Sequence, residues 1–213
     1  MLRIIILLLS IIFTSVAGAK MVTLSLPTPK IEKAVYLDEA IQKRRSVRRF
    51  SAKALTDYQI SKLLWAAQGI TDTHNDFRAA PSAGALYPLE LYLIKNNGVW
   101  HYLVRNHSIE QINEKDLRSS LANAALGQSC VAQAPIDIVI AADYNRVTKK
   151  YGERGIRYTH IEVGHTTENL VLEAAALGLS SITIGAFNDD KVSNLLNLPH
   201  NETPLYIIPV GYQ

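Results

Sequence analysis

Arg44-Arg45-Ser46-Val47-Arg48-Arg49-Phe50 sets four guanidiniums and a hydroxyl within a few residues, just past a predicted short helix. Such a cluster repels itself in water. It becomes favourable when a polyanion lies among the arginines, because each fork can give paired charge-assisted bonds to phosphate. Taken alone, the stretch also reads as a solvated basic turn or a nucleic-acid patch. The chain on either side decides between these readings.

Upstream, Leu37 to Arg45 reads as a helix with Asp38 as its N-cap. Downstream, Thr56 and Gln59 form a capping box for a helix from Asp57 to Gln68. Its stripe of Ile60, Leu63, Leu64 and Ala67 faces a core, and Gly69 ends it. Thr71 to Ala80 is polar and loop-like. Arg78 to Pro88 then runs through small residues, and a backbone of that kind can approach a flat ligand closely. Glu90 to Lys95 and Trp100 to Arg105 are strand-like, and Asn96-Asn97-Gly98 makes them a hairpin.

Leu117 to Ala132 reads as one helix, and Ile136 to Ala142 as a central strand. Asp143 to Gly155 reads as a charged loop carrying Lys149-Lys150-Tyr151. Tyr158 to Leu177 is the longest predicted helix, with a stripe that includes Ile161, Gly164, Thr167, Leu170, Val171 and Ala174. Ser181 to Ile184 is a strand, Asp189 or Asp190 caps a short helix, and Leu205 to Val210 is the last strand. Helices and strands mix without regular alternation, so the fold class is α+β.

Met1-Leu2-Arg3, the apolar run Ile4 to Phe13 and the small residues Ala17-Gly18-Ala19 form a secretory signal peptide pattern over residues 1–19. The apolar run is short for a membrane span, so the alternative is an uncleaved N-terminal anchor. Either way the expected location is outside the cytoplasm, periplasmic or extracellular. Residues 20–36, with Pro27 and Pro29, read as an extended linker to a single domain over 37–213. The net charge of +3 is modest and is not gathered in tails, which argues against a dedicated nucleic-acid binder. Cys130 is the only cysteine, so an internal disulfide is excluded, and its apolar neighbours mark it as buried and structural.

His160 and His165 are spaced too far apart to share a helix face, which argues against a metal site. Ser82 lacks the glycines of a nucleophile elbow, and no glycine-rich dinucleotide fingerprint follows a strand. Hydrolysis and a Rossmann domain are therefore not indicated.

The arginine stretch resembles the opening motif of the nitroreductase-like FMN-dependent oxidoreductases. Ala80 to Glu90, Glu162-Val163-Gly164-His165, Glu168-Asn169-Leu170 and Ile184-Gly185-Ala186-Phe187 resemble the azoline-dehydrogenase, or SagB-type, branch of that family. The closing Pro209-Val210-Gly211-Tyr212 fits as well, and the likeness runs in order from about Leu37 to the C-terminus.

The resemblance implies a mostly antiparallel central sheet flanked by helices, in a homodimer with FMN at the subunit interface. By position, Arg44 and Ser46 hold the phosphate, Arg45 supports it or the ribityl chain, and Arg48 lies by the pyrimidine edge. A guanidinium there stabilises the anionic reduced flavin. Pro81, Ser82, Ala83 and Gly84 line the ring from the partner, while Ile184 and Gly185 offer backbone groups near N5. Lys150 and Tyr151 resemble a pair that assists proton transfer in azoline oxidation.

Three features depart from the family. No basic residue follows the last strand before Gln213, Glu168 stands where glutamine is common, and NADH or NADPH, the usual donors, are scarce outside the cytoplasm. The expected activity is two-electron ping-pong transfer to a small nitro compound or quinone, with azoline dehydrogenation as a specialised variant. The rival readings are a flavin-binding or scavenging protein without turnover, and a basic ligand-binding module without flavin.

Overall fold

A computed structural model describes residues 22–30 and 35–213. The predicted signal peptide lies outside these residues. Among the described residues, no helix is long and apolar enough to cross a membrane.

The strands are β1 (Thr23–Ser25), β2 (Ile70–Asp72), β3 (Phe77–Arg78), β4 (Leu89–Lys95), β5 (Gly98–Leu103), β6 (Ser108–Asn113), β7 (Ile136–Ala142), β8 (Ser180–Ser181) and β9 (Thr203–Gly211). The helices are α1 (Leu37–Lys43), α2 (Asp57–Gln68), α3 (Arg118–Ala124), α4 (Ser129–Gln133), α5 (Asn145–Tyr151), α6 (Arg154–Ala176) and α7 (Asp189–Leu196). Seven strands form one antiparallel sheet in the order β1-β6-β5-β4-β7-β9-β8, and β2–β3 form a separate hairpin.

Alternation along the strands divides the core in two. Leu89, Leu91 and Leu93 of β4 and Ile136, Ile138 and Ile140 of β7 pack with Leu63 and Leu64 of α2 and Leu170 and Ala174 of α6. Tyr92 and Ile94 of β4 and Val139 and Ala141 of β7 pack with Leu121 of α3, Val131 of α4 and Val192 and Leu196 of α7. The sheet is thus sandwiched between helical layers, which is why every residue of β7 is buried. Each fully buried aliphatic side chain contributes about 1.5–3 kcal/mol.

Several elements match the sequence reading in detail. The Thr56–Gln59 capping box is fully formed, and Lys95 pairs with Gly98 across the Asn96-Asn97 turn. Gly69 ends α2 with an extended φ of −64°, so left-handed backbone is not what requires glycine there. A Cβ on Gly69 would lie 2.2 Å from the Trp65 ring.

Other elements correct it. Tyr36, not Asp38, is the N-cap of α1, and Asp38 lies in the first turn. Asn188 caps α7 by accepting the Lys191 N–H, ahead of Asp189 and Asp190. The predicted helix 117–132 is two helices, broken at Leu126 and Gly127, both with positive φ. Asp143 to Gly155 holds helix α5 where a loop was expected. In α6, Ile161 and Gly164 are exposed, so the buried stripe runs instead through Glu162, Val163, Thr166 and Leu170.

Part of the predicted linker is a strand. β1 pairs with the edge of β6, the Leu26 N–H donates to the His107 carbonyl, and the Tyr58 hydroxyl donates to the Lys30 carbonyl. Beneath it, the Ser61 hydroxyl donates to the Pro27 carbonyl and lies 2.7 Å from His107 Nε2. His107 Nδ1 lies 2.7 Å from the Tyr102 hydroxyl. The ring is therefore neutral, with its proton on Nε2 toward Ser61 and Nδ1 accepting from Tyr102.

Burial holds the His107 pKa below its ordinary 6.5, against an upward pull from the Pro27 carbonyl. The closed segment consequently keeps its full stability above that value and loses it as pH falls further, because only the open form takes up the proton. Hydrogen exchange at the Leu26 amide, corrected for its intrinsic rate, should show more frequent opening below about pH 6 than at pH 8. The Ile138 amide should show no such step. His107→Asn, which tolerates the left-handed backbone at this position (φ 44°), should abolish the pH dependence.

Candidate active site

The arginine stretch leaves α1 and runs along the end of the sheet. Its course is fixed by backbone bonds: Ser46 bridges Ser181, the Val47 N–H donates to the Ser181 carbonyl (2.9 Å), and the Ser51 N–H donates to the Tyr212 carbonyl (2.8 Å). Arg44, Arg45 and Lys43 line a cleft of about 250 Å³ whose other wall includes Gly178, Ser180 and Ser181. Arg45 is directed by two bonds to main chain, to the carbonyls of Gln42 (3.0 Å) and Arg44 (2.6 Å). Ser46 and Arg48 are exposed beside it. Arg48 also sits close enough to Cys130 to pull its thiol pKa down, but burial dominates and raises it, as suits a structural cysteine.

Glu168 approaches Arg44, with Nε to Oε1 at 3.9 Å. Both side chains are well exposed, at 37% and 58%, so the pair is worth about 0–1 kcal/mol. Arg44 thus keeps most of its charge for an anion in the cleft. Glu168→Gln should tighten binding of a phosphate-bearing ligand there by no more than about 5-fold, measured by calorimetry at low salt.

The segment Pro81 to Gly84 forms the second part of the site, and Ala83–Ala85 is a short 3-10 turn. Gly84 adopts φ +63°, and a Cβ there would lie 2.7 Å from the Tyr151 hydroxyl and 3.0 Å from Lys150 Nζ. The two motifs, far apart in sequence, therefore meet at one point. Tyr151 is further held by an edge-on contact with Tyr158, the ring centroids being 5.3 Å apart.

The placement of Lys150 and Tyr151 has a visible cause. Arg146, one helical turn before Lys150 on α5, donates to the Tyr87 carbonyl (3.1 Å) and to Glu90 of β4, and lies 3.6 Å from Asp143. Glu90 also pairs with His101 (2.8 Å). Burial pushes the Glu90 carboxyl up, but His101 and Arg146 together hold it below its ordinary value. Arg146 thus ties α5 to the same segment that ends at Pro88.

Glu162 of α6 lies behind Ser82. The Ser82 hydroxyl donates to Glu162 Oε2 (2.5 Å) while its oxygen accepts the Tyr87 N–H (2.9 Å). Burial pushes the Glu162 carboxyl up to about 7, against the pull of Ser82, Arg78 and Gln68. Arg78 stacks over the Tyr87 ring (4.5 Å) and donates to Gln68 (2.9 Å).

At the third part of the site, Ile184 is fully engaged. Its N–H donates to the Ile207 carbonyl (2.9 Å) and its carbonyl accepts the Ile207 N–H (3.0 Å). Both backbone groups that Ile184 was expected to offer near N5 are thus paired with Ile207 in the sheet. Gly185 is exposed, and its amide has no backbone partner among the described residues. The Tyr206 ring lies 3.3 Å from where a Gly185 Cβ would sit, and it lines an apolar pocket of about 270 Å³ with His160, Val163 and Gly164.

The sequence singles out the arginines, the small-residue segment and the Lys150–Tyr151 pair, and the structure brings the last two together at Gly84. Sequence reading missed the roles of Glu162, Arg146 and Glu90, which depend on contacts between distant elements. Among the described residues no group of three or more His, Cys, Asp and Glu side chains is gathered as metal ligands would be.

The antiparallel sheet between helical layers agrees with the fold that the sequence resemblance implies. The nitroreductase family model matches residues 41–212, and the chain belongs to that family. Among relatives, MJ1384 of Methanocaldococcus jannaschii, named provisionally as a nitroreductase, is 42% identical over 195 residues, covering 89% of this chain and 96% of its own. The NADPH-flavin oxidoreductase of Vibrio harveyi is 25% identical over 182 residues, covering 82% of this chain and 64% of its own.

Among solved structures, a nitroreductase-like protein from Ralstonia eutropha superimposes with a TM-score of 0.82 at 27% identity, covering 89% of each chain. The Escherichia coli microcin synthetase McbBCD complex with truncated pro-MccB17 bound matches with a TM-score of 0.73 at 25% identity, covering 88% of this chain and 77% of that one. The expected resemblance and the α+β fold are thereby established. At the level of the family, the chain is an oxidoreductase of the flavoprotein type.

Proposed function

We propose that the chain is an exported, homodimeric FMN-dependent oxidoreductase that passes two electrons, by a ping-pong cycle, to a small open-site acceptor such as a quinone or nitro compound. The observation that carries this reading is the convergence of Lys150 and Tyr151 on Gly84. It sets a cationic donor and a phenol at the surface of a loop whose small residues admit a flat ring.

The residues fit FMN on two counts. The cleft beside Arg44 and Arg45 is basic and open, and the fixed course of residues 46–51 presents Ser46 and Arg48 on the same strip. Where Gly84 would carry a Cβ, Tyr151 and Lys150 already crowd in, so only glycine leaves that backbone bare.

Arg44, Ser46 and Arg45 would hold the phosphate, Arg48 the pyrimidine edge, Pro81 to Gly84 the ring from the partner, and the Gly185 amide the region of N5. The bound flavin supplies hydride chemistry. Lys150 and Tyr151 hold and deliver the accompanying proton, and the apolar pocket beside Gly185 admits the acceptor. The same pair supports azoline-type dehydrogenation as the specialised form of this activity. NADH or NADPH is the donor to test first, and an extracytoplasmic donor follows from the export signal.

The test is the visible spectrum of the protein purified from Lys20 onward, before and after FMN and then NADH or NADPH. Yellow bands that bleach with a nicotinamide and return with a quinone support the reading. A folded protein that takes up no FMN overturns it.

A further inference from the structure

We propose that Glu162 is a proton-holding positioning residue for the Pro81–Gly84 loop, and that its protonation turns the Ser82 hydroxyl from an inward donor into an outward one. This rests on the reading of that loop as flavin-lining.

Glu162 is 2% exposed, and its two oxygens are unequal. Oε2 accepts the Ser82 hydroxyl, while Oε1 is buried without a hydrogen-bond partner among the described residues. An ionised carboxylate with one bare oxygen is poorly solvated, and a protonated carboxyl suits the place better. The groups facing it are few. Arg78 approaches from β3, Gln68 from α2, and Ser82 from the loop; Arg78 and Gln68 are bonded to each other, and the Gln68 amide also donates to Thr166 (2.8 Å). The balance of burial against these groups puts the Glu162 pKa at about 7, so both forms are populated under ordinary conditions.

The consequence for Ser82 follows from counting its bonds. Its oxygen always accepts the Tyr87 N–H. With Glu162 ionised, the hydroxyl proton must point inward to Oε2. With Glu162 protonated, the carboxyl can donate to the Ser82 oxygen instead, and the hydroxyl proton is released to point away from α6. Ser82 is only half-buried, so that direction is open. The loop then offers an extra donor on its ligand side at low pH and withdraws it at high pH.

Infrared titration of the flavin-free protein tests the proton itself. The protonated-carboxyl band should fall with a midpoint near pH 7. Glu162→Gln should remove that titrating component and leave any contribution from buried Asp137. Ser82→Ala should move the midpoint upward, because the carboxylate loses its hydroxyl donor, while Ser82→Thr keeps it in place. A component titrating near pH 7 that keeps its full amplitude in Glu162→Gln, or a midpoint indifferent to Ser82→Ala, overturns the proposal.

In the FMN-loaded protein, reoxidation by a quinone should slow several-fold as pH rises through the same midpoint, and both Glu162→Gln and Ser82→Ala should flatten the profile. A flat profile in the unmodified protein also overturns it. Failure to bind FMN would sink the functional reading alone, since the infrared result stands without flavin.

Discussion

Lys150→Ala and Tyr151→Phe should each lower turnover by about 10²–10⁴-fold, the range over which a positioned proton-transfer group acts. FMN uptake and the melting temperature should stay close to those of the unmodified protein. Lys150 is exposed, and Tyr151→Phe keeps the edge-on packing against Tyr158. Neither change leaves a buried polar group unpaired. The pair's location over Gly84 makes the effect one on the chemical step, so single-turnover oxidation of the reduced protein is the measurement. A rate within about 3-fold of the original for both variants would remove the pair from the mechanism. Gly84→Ala is the complementary change. It would strain a left-handed backbone and push a methyl into Tyr151, displacing the same two groups without altering them.

Asp137→Val should stabilise the fold by about 1–3 kcal/mol, because it removes a buried polar group with no hydrogen-bonding partner among the described residues. Asp137 is the second residue of the fully buried strand β7, and neither of its oxygens has a partner among the described residues. Burial pushes its pKa well above the ordinary 3.8, with Arg118 pulling it down only in part. Burial therefore favours its neutral form in the fold more than in the unfolded chain. Its contribution is full below pH 3.8 and is lost as pH rises toward the folded value, the opposite of an ion-paired carboxylate. Thermal unfolding of Asp137→Val should accordingly rise by about 2–4 °C per kcal/mol for a chain of this size. The gain should be larger at pH 7 than at pH 4. A variant less stable than the parent at neutral pH would mean that the acid has a partner in solution.

Local signals were legible in the sequence, and long-range ones were not. The Thr56–Gln59 box and the Asn96-Asn97 turn are complete within a few residues, so their chemistry can be read directly. The short helix α5 was read as a loop because only Val147 is buried, which leaves no apolar stripe. β6 was missed because Ser108–Asn113 is largely polar, and its strand character comes from pairing with β5 and β1.

The same division holds at the site. The arginines and the Pro81–Gly84 loop announce themselves by composition. Glu162 and Arg146 do not, since Ser82 lies 80 residues from Glu162 and Glu90 lies 56 residues from Arg146. Only the packing of α6 against the sheet and of α5 against α6 brings them into range. Within the stretch read as an extended linker, the pairing of Thr23–Ser25 was hidden for this reason too, because it depends on an edge strand that composition did not reveal.

That edge has a bearing on how the chain keeps apart from its own copies. β6 would otherwise end the sheet with a row of unsatisfied amides and carbonyls, a template on which another molecule's strand could grow. Three residues of β1 cap that row, and the neutral imidazole of His107 helps to keep the segment beside them in place. Acid that loosens this cap would uncover the template while the remainder of the sheet stays intact, so the first response to low pH would be self-association of folded molecules.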